Sequence, residues 1–589
     1  MQHPVGTHAL LADGRTAALV DPDGNIAWLP WPRIDSPPCL LSILDDVVGG
    51  RFAVAPADPG ATVIERAYEP GTLVLRTVWR TDGGELTVHE ALAWDGPPRL
   101  VRTLRARGTV DVVVQLSLAP NAARARGFAT ADDSTLSVRG GGVDLVVNAP
   151  GEWVVDDNGA AVCRLTVDSA GSSVTLCDAG AAPVSPLLEG TRAHFAATVS
   201  QAASLPPNAM ASTVLGDTTA RHLLRQAAAV LTGLRQRGGG VVAAPTSSLP
   251  QWPGSSRTWD YRYSWLRDTA LAGTAMLRAG LLHDAAGLGE FLGAATTTSL
   301  PPAALLRVDG SAPPREQTLD QLRGYHGARP VRLGNAAADQ PQLDVAGEVL
   351  EFAACLAEQE ALPPSFARGA ARVADWTAEH WSEPDHGIWE IRGRPRRYTH
   401  SRVMAWVGLT KAAALADEGE IADGADRWRA AARDIRAEVL RGAGPLQLTD
   451  AGGGADAALA QAVLSGIFEP GDPRAAATLD AISGALDRNG LIDRHDPEQD
   501  ALADPCAPFL FPTFWMAEAL QRIGRDGSRH FAAAASARGS LDLFGEVADP
   551  SDNSPLGNYP QVQSHASFLL AATDQPARRQ ERRATSRSR

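Results

Sequence analysis

The stretch RTWDYRYSWLRD concentrates aromatic and charged side chains in a chain whose residues are only 6% aromatic. Trp259, Tyr261 and Trp265 offer flat apolar faces, and Arg267 and Asp268 follow in the first turns of a predicted helix. Sugars are recognised by this combination, because rings cover their C–H faces while charged groups hydrogen-bond their hydroxyls. The same residues could also form an ion pair beside core aromatics, so composition alone leaves both interpretations open.

Two glutamates lie just before predicted helices, where an acid and a base could meet. Glu390 follows Trp389 in GIWEIRGRPRRYTHSRVMAW, and Glu546 lies in FGEVADPSDNSPLGNYPQVQSH before the last predicted helix. An indole beside a carboxyl can raise its pKa by desolvation, which suits a general acid. Arg494 lies in NGLIDRHDPEQD, an irregular stretch between helices. Taken one at a time, each of these side chains would by default be an ordinary exposed one.

The composition limits the class of protein. The chain has 589 residues, 44% hydrophobic and 21% charged, which predicts a soluble protein of two or more domains. Its net charge of −14 argues against nucleic acid or an acidic membrane surface as the main partner. The five widely spaced cysteines show no metal-ligand spacing, so we expect buried free thiols. Neither a signal peptide nor an apolar run of about 18 residues is found, so we expect a cytoplasmic protein. The sequence is also compatible with a homo-oligomer.

The hydrophobic period divides the chain into two parts. Up to about residue 200, alternating stretches such as TLVLRTVWRTDGGELTVHEALAW predict strands and hairpins, as in a β-sandwich. From Asp217 the period becomes 3.6, and twelve amphipathic stretches follow with long and short connections in alternation. They start near residues 217, 264, 283, 341, 366, 400, 421, 456, 473, 509, 527 and 560.

These patterns predict a multidomain fold. We expect an N-terminal β-sandwich over residues 1–205, an all-α (α/α)6 barrel over residues 215–575, and a disordered Arg-rich tail over residues 576–589. Counting helices does not distinguish the barrel from an open bundle or a solenoid, although no internal repeat supports the solenoid.

Five blocks of sequence, in order, resemble glycoside hydrolase family 15, the glucoamylase and bacterial trehalase-like group. The blocks are VVAAPTSSLPQ, RTWDYRYSWLRD, LRGYHGARPVRLGNAAADQPQLDVAGEVL, GIWEIRGRPRRYTHSRVMAW and FGEVADPSDNSPLGNYPQVQSH. The N-terminal stretch VGTHALLADGRTAALVDPDGNIAWLPWPRIDSPPC is also similar to the sandwich of the bacterial members. The resemblance covers nearly the whole chain and implies a β-sandwich followed by an (α/α)6 barrel.

The resemblance also implies roles for individual residues. Glu390 corresponds to the family's general acid and Glu546 to its general base. Substrate-binding positions correspond to Arg267, Asp268, Trp265, Trp389 and Arg494. The family needs neither a cofactor nor a metal, and its partner is a small-molecule carbohydrate. The chain departs from the usual pattern near the expected pocket, which affects substrate preference more than chemistry, at Thr258, Ser264, Cys506 and Val547.

The implied reaction is exo-acting hydrolysis of terminal α-glucosidic bonds with inversion at the anomeric carbon. Glu390 would protonate the leaving oxygen while Glu546 activates a water on the opposite face, which requires carboxyl groups roughly 6.5–9.5 Å apart. Trehalose, maltodextrins and isomalto-oligosaccharides all fit, and the expected location favours trehalose. A glycoside phosphorylase, a non-catalytic glycan-binding protein and a barrel-type isomerase are the alternatives, the last without a histidine constellation to support it.

Overall fold

The change of hydrophobic period becomes a change of architecture in the computed structural model, which describes residues 2–181 and 187–573. Strands dominate the first of these ranges, and helices dominate the second. The predicted Arg-rich tail, residues 576–589, lies outside the described residues. The strands of the first range are β1 (Ala9–Ala12), β2 (Ala17–Val20), β3 (Ile26–Pro30), β4 (Pro38–Leu40), β5 (Arg51–Pro56), β6 (Thr62–Tyr68), β7 (Leu75–Thr81), β8 (Gly84–Leu92), β9 (Arg99–Gly108), β10 (Val110–Ser117), β11 (Phe128–Asp132), β12 (Thr135–Gly140), β13 (Val143–Asn148), β14 (Trp153–Val155), β15 (Ala161–Val167) and β16 (Ser172–Asp178).

These strands form three antiparallel sheets. Their orders are β1-β2-β3-β4, β14-β15-β10-β5 and β11-β12-β13-β16-β9-β8-β7-β6. The predicted hairpin at Asp82-Gly83 is confirmed, because Thr81 pairs with Gly84 where β7 turns into β8. A short helical turn, α1 (Pro120–Ala123), separates β10 from β11. Apolar side chains from all three sheets share one core.

The first sheet is buried on both faces. In β1, Leu11 belongs to the core that the sheets share, whereas its neighbour Leu10 belongs to the core of the helical part. Leu19 and Val20 in β2 divide in the same way. Because successive side chains of a strand point to opposite faces, a strand covered on both sides needs a continuous apolar run. This explains why HALLA and TAALV lack the alternation of the later strands.

The second range contains the predicted helical part. Its helices are α2 (Leu187–Val199), α3 (Ala209–Leu215), α4 (Asp217–Leu234), α5 (Leu266–Arg278), α6 (Leu282–Thr298), α7 (Asp344–Glu358), α8 (Pro364–His380), α9 (Thr399–Asp417), α10 (Ala425–Val439), α11 (Ala460–Ser465), α12 (Pro473–Leu486), α13 (Leu510–Arg522), α14 (Ser528–Ser536) and α15 (Val562–Ala571). The twelve from α4 onward begin within four residues of the twelve predicted starts. The helix α2 lies inside the range predicted for the sandwich.

Short strands pair locally between these helices and form no continuous sheet among the described residues. They are β17 (Ser247–Pro250), β18 (Thr258–Asp260), β19 (Ser264–Trp265), β20 (Leu305–Leu306), β21 (Gln317–Thr318), β22 (Arg332–Leu333), β23 (Asp487–Arg488), β24 (Leu491–Ile492), β25 (Val547–Ala548) and β26 (Pro555–Leu556).

Alternate helices contact one another in sequence order. The series α5, α7, α9, α11, α13 and α15 runs from each helix to the next, and α15 contacts α5 again. Each of α4, α6, α8, α10, α12 and α14 contacts at least one member of this series. The N-terminal part joins the helical part through polar contacts, such as Trp28 Nε1 to the carbonyl of Pro245 at 2.7 Å and Arg323 to Asp45 at 2.9 Å.

Two further sequence predictions concern single features. The five cysteines are all free, and Cys39, Cys163 and Cys177 are buried as predicted, whereas Cys355 and Cys506 are only half-buried. Within residues 2–181 and 187–573, no helix combines the length and the apolar character that crossing a bilayer requires.

Candidate active site

One open pocket in the helical part is lined by all seven side chains that the sequence predicts for the site. It encloses about 780 Å³, with the solvent at its mouth included. The seven are Glu390, Glu546, Arg267, Asp268, Trp265, Trp389 and Arg494. The lining comes from segments that precede or begin α5, α7, α9, α13 and α15, so the N-terminal ends of these helices meet at the same place.

The segment RTWDYRYSWLRD, residues 257–268, contributes some side chains to the pocket and others to the packing of the fold. Trp259, Tyr261 and Trp265 line the pocket, whereas Asp260 and Arg262 form an ion pair at 2.7 Å and are almost fully buried. Arg262 also donates to backbone carbonyls of the N-terminal part. Extended backbone sends alternate side chains to opposite sides, which explains why charges and rings interleave here.

The backbone holds Glu390 in an uncommon conformation. Its φ is +55°, in the left-handed region that costs energy for any residue except glycine. The turn before it is tied down by Asp385, whose carboxylate accepts the backbone N–H groups of Leu343 and Gly387 and the hydroxyl of Ser401. The start of α7 and the segment of Glu390 are therefore fixed to each other.

Three donors converge on one oxygen of the Glu390 carboxyl. Oε1 accepts the indole N–H of Trp265 at 2.5 Å, the amide of Gln342 at 3.1 Å and the guanidinium of Arg267 at 3.3 Å. None of these donors contacts Oε2, and the side chain keeps about a fifth of its surface exposed. One oxygen is thus fixed while the other is available for chemistry.

The two carboxyl oxygens of Glu546 also differ in their hydrogen bonding. Oε1 accepts the phenol of Tyr261 at 2.6 Å and the amide of Gln251 at 2.7 Å. Oε2 is buried and receives neither of these donors, and the backbone N–H of Asn558 also favours the ionised carboxylate. Burial raises the pKa of Glu546 to about 7, and the hydrogen bonds from Tyr261 and Gln251 oppose that rise. The group therefore titrates in the neutral range.

Arg267 and Asp268 begin α5 side by side. The guanidinium of Arg267 contacts Asp344 and Gln342 at 2.9 Å each, besides Glu390. Most of its donors are therefore occupied by the protein, and it orients the Glu390 segment as well as lining the pocket. Burial raises the pKa of Asp268 to about 7, although the charge of Arg267 acts in the opposite direction.

Trp389 is held by its ring nitrogen and by a neighbouring ring. Its indole N–H donates to Asp456 at 2.8 Å, and its ring stacks on Phe511 with centroids 5.7 Å apart. Burial raises the pKa of Asp456 to about 7. One face of Trp389 therefore packs against the first turn of α13, which contains Phe511.

Arg494 lies in a network of charges on another side of the pocket. It forms an ion pair with Asp500, which also pairs with Arg257 at 3.0 Å. Trp259 lies nearby in the lining with two further guanidinium groups over its ring, those of Arg332 at 4.5 Å and Arg392 at 4.3 Å. Charged and aromatic groups therefore surround the pocket beyond the two glutamates.

Several supporting side chains escaped the sequence reasoning. Gln251 holds Glu546, while Gln342 and Asp344 hold Glu390 and Arg267. The available signal is weak: Gln342 and Asp344 are polar residues at alternate positions in QPQLD, directly before a helix. In the part of the chain that the structure describes, the cluster spaced for a metal is formed by residues that do not line the pocket, His3, Asp21 and Asp23.

Comparisons with known proteins agree along the whole chain. Residues 218–573 match the family model for glycosyl hydrolases family 15, and residues 1–182 match that for a trehalase-like N-terminal domain. A trehalase of Mycolicibacterium smegmatis is 31% identical over 96% of this chain and 90% of its own length. Trehalase 1 of Sulfolobus acidocaldarius is 28% identical over 95% and 97%, respectively.

A solved structure supports the fold. A bacterial glucoamylase complexed with acarbose superimposes with a TM-score of 0.69 at 11% identity, covering 97% of this chain and 94% of its own. It shares the arrangement of an N-terminal sheet domain and a helical domain. With the first family model spanning more than half of the chain and the relatives nearly all of it, the protein is a glycoside hydrolase and belongs to glycosyl hydrolases family 15.

Proposed function

We propose that this protein is an exo-acting, inverting α-glucosidase that hydrolyses trehalose, with Glu390 as general acid and Glu546 as general base. The observation that carries the proposal is that the two glutamates have the same hydrogen-bonding arrangement. Both line one pocket, and each has donors gathered on Oε1 while Oε2 receives none of them. Two separately fixed carboxyl groups in one sugar-sized pocket are what an acid–base pair requires.

Glu390 acts on the leaving group. Because Trp265, Gln342 and Arg267 all donate to Oε1, the proton needed by the glycosidic oxygen resides on Oε2. As the bond between the anomeric carbon and this oxygen breaks, the proton passes from Oε2 to the leaving sugar. The left-handed backbone of Glu390 is kept because it aims the side chain, an example of strain at a reacting group.

Glu546 acts on the water. Tyr261 and Gln251 occupy Oε1, so Oε2 is the oxygen that can accept a proton as the water attacks the anomeric carbon. Attack from the face opposite the leaving group inverts the anomeric centre, so an α-glucoside releases β-glucose first. A pKa of about 7 for Glu546 makes it a stronger base than an ordinary carboxylate when it is ionised.

The remaining predicted residues hold the terminal glucose. Asp268 lies beside Arg267 at the start of α5 and accepts sugar hydroxyls, while the rings of Trp265 and Trp389 cover apolar faces of the sugar. Arg494 donates near the cleavage point. These contacts strengthen as the sugar distorts towards the transition state, so they raise kcat as well as affinity.

Trehalose is the favoured substrate because relatives that match this chain along nearly their full length are named trehalases. The likeness to a glucoamylase concerns the fold. The pocket of the present protein carries charged side chains around Trp259, including Arg392 and Arg332, which suit a second sugar rich in hydroxyls. Maltodextrin and isomaltose hydrolysis form the second candidate activity.

The proposal extends to the architecture and the setting. The closed contact series of α5, α7, α9, α11, α13 and α15 supports the inner ring of an (α/α)6 barrel, and α4, α6, α8, α10, α12 and α14 would form its outer ring. We place the sandwich at residues 1–205 and the barrel at residues 215–575. A cytoplasmic location and a homo-oligomer stay predictions of the sequence, and fractionation and size-exclusion chromatography test them.

The test is product analysis with two matched variants. Glucose release from trehalose, maltose, isomaltose and soluble starch is compared, and the first anomer formed is followed by NMR. Glu390→Gln should lose most activity on trehalose but less on α-glucosyl fluoride, whose leaving group needs no proton; Glu546→Gln should lose activity on both, by about 10²–10⁴-fold.

Three results contradict the proposal. They are α-glucose as the first product, near-wild-type turnover by either variant, and glucose phosphate formation that depends on added phosphate. The last result would make the protein a phosphorylase, and binding of sugars without turnover would make it a glycan-binding protein.

A further inference from the structure

We propose that Gln251 is a positioning residue for Glu546 and that the thiol of Cys506 sets the orientation of the Gln251 amide. This inference rests on the proposed function, because it acts through the base. It gives a role to Cys506, which the proposed mechanism does not use, and to Gln251, which lines the pocket.

The contacts form a short chain that ends at the carboxyl of the base. The thiol of Cys506 lies 3.4 Å from Gln251 Oε1, and Gln251 Nε2 lies 2.7 Å from Glu546 Oε1. The thiol is also 3.4 Å from the carbonyl of Ala507, whose own N–H donates to the carbonyl of Gln251 at 3.1 Å. Gln251 is therefore joined to the 506–507 segment by both its side chain and its backbone.

The chemistry of the groups fixes the direction of the amide. An ionised carboxylate can only accept, so the NH₂ group of Gln251 must face Glu546 and its oxygen must face Cys506. A reversed amide would place two acceptor oxygens against each other. Burial raises the pKa of the Cys506 thiol to about 11, so it keeps its proton and can donate to that oxygen. The thiol thus favours the amide orientation that supports an ionised base.

Further groups act on Glu546 from the elements packed around it. The phenol of Tyr261 donates to Oε1, and the charge of Arg494 favours the ionised carboxylate. On the remaining side, Gly557 approaches Oε2 through its backbone. Gln251, like Tyr261, is a neutral donor, so its removal changes the hydrogen bonding of the base without changing any charge in the pocket.

The experiment measures kcat/KM for trehalose against pH for the full-length protein and its variants. The acid limb of this profile reports the ionisation of the free enzyme's base. Gln251→Met keeps the length of the side chain and removes the donor, so the limb should move to higher pH by about one unit, with about a tenfold loss of rate near pH 6. Cys506→Ala should move it in the same direction by less, and Cys506→Ser, which retains a donor, should remain close to wild type.

Two controls separate the possible failures. Cys355→Ala removes another half-buried thiol, on α7, and should leave the profile unchanged. Should Glu546→Gln be inactive while the limbs of Gln251→Met and wild type coincide, the positioning role is overturned and the proposed base stands. If Gln251→Met does not fold, coincident limbs for Cys506→Ala and wild type overturn the role of the thiol. Activity retained by Glu546→Gln would reject the proposed base and this role with it.

Discussion

The rings of Tyr261 and Trp265 meet edge to face with their centroids 5.5 Å apart, and each ring holds one of the two glutamates of the pocket. Tyr261 donates its phenol to Glu546, and Trp265 donates its indole N–H to Glu390. The two carboxyl groups come from distant segments, yet one stretch of five residues fixes both. Packing of the two rings therefore sets the positions of the two carboxyl groups relative to each other.

Replacing Tyr261 by Phe should affect Glu546, the proposed base, more than Glu390, the proposed acid. The ring stays packed against Trp265, but Glu546 loses a donor that favours its ionised form, so its pKa rises further. We expect the acid limb of kcat/KM to move up by about one pH unit and kcat to fall about tenfold. Tyr263→Phe, at a buried position outside the pocket lining, is the matched control. An unchanged limb in Tyr261→Phe would show that the phenol does not tune the base.

Replacing Arg267 by Lys should lower kcat and raise KM together. A lysine keeps the charge beside the buried Asp344 but cannot contact Gln342, Asp344 and Glu390 at once. We expect a loss in kcat/KM of about 10²-fold, since contacts to the reacting sugar strengthen in the transition state. Steady-state kinetics on trehalose measure it, with exposed Arg427→Lys as the control. Wild-type constants would mean that Arg267 serves the fold alone.

Gly557→Ala tests how closely the backbone confines the base. A Cβ at this position would lie 2.5 Å from Glu546 Oε2, and the φ of +73° already disfavours a side chain. Gly419→Ala shares the positive φ of +75° but meets nothing within 4 Å, so it isolates the cost of the backbone conformation. Gly419→Ala should lose about 1 kcal/mol of stability, and Gly557→Ala should lose more than that together with most of its activity. Equal activities would show that Glu546 can move aside.

Asp456→Asn tests the cost of a buried carboxyl. Burial raises the folded pKa of Asp456 to about 7, above its ordinary value of 3.8, so its contribution to stability is present below pH 4 and is lost as pH rises through 7. Asparagine can still accept the bonds from Trp389 and from the backbone of Ala458. We expect the variant to gain on the order of 1 kcal/mol or more over wild type at pH 8 relative to pH 5.

Urea unfolding at the two pH values measures this gain. Asp426→Asn, at an exposed position, is the control and should show no such difference. A free energy of unfolding that changes equally with pH in Asp456→Asn and wild type would contradict the prediction.

The kinds of element and the residues that bear chemistry can be predicted from the sequence. Hydrophobic period is local information, so the change near Asp217 predicts where strands give way to helices, and the twelve predicted helix starts lie within four residues of those in the structure. Ordered motifs likewise single out Glu390 and Glu546, because each motif is a short contiguous pattern. Their catalytic roles stay a proposal.

How these residues are held depends on contacts between segments that are distant in the sequence. The donors on Glu546 come from Gln251 and Tyr261, far from it in the chain, and no local pattern indicates that pairing. The same holds for pKa values, since burial by distant segments is the largest cause of the shifts at Glu546 and Asp456. Desolvation and hydrogen-bond geometry depend on which segments meet in space, and the period of a sequence carries no record of that.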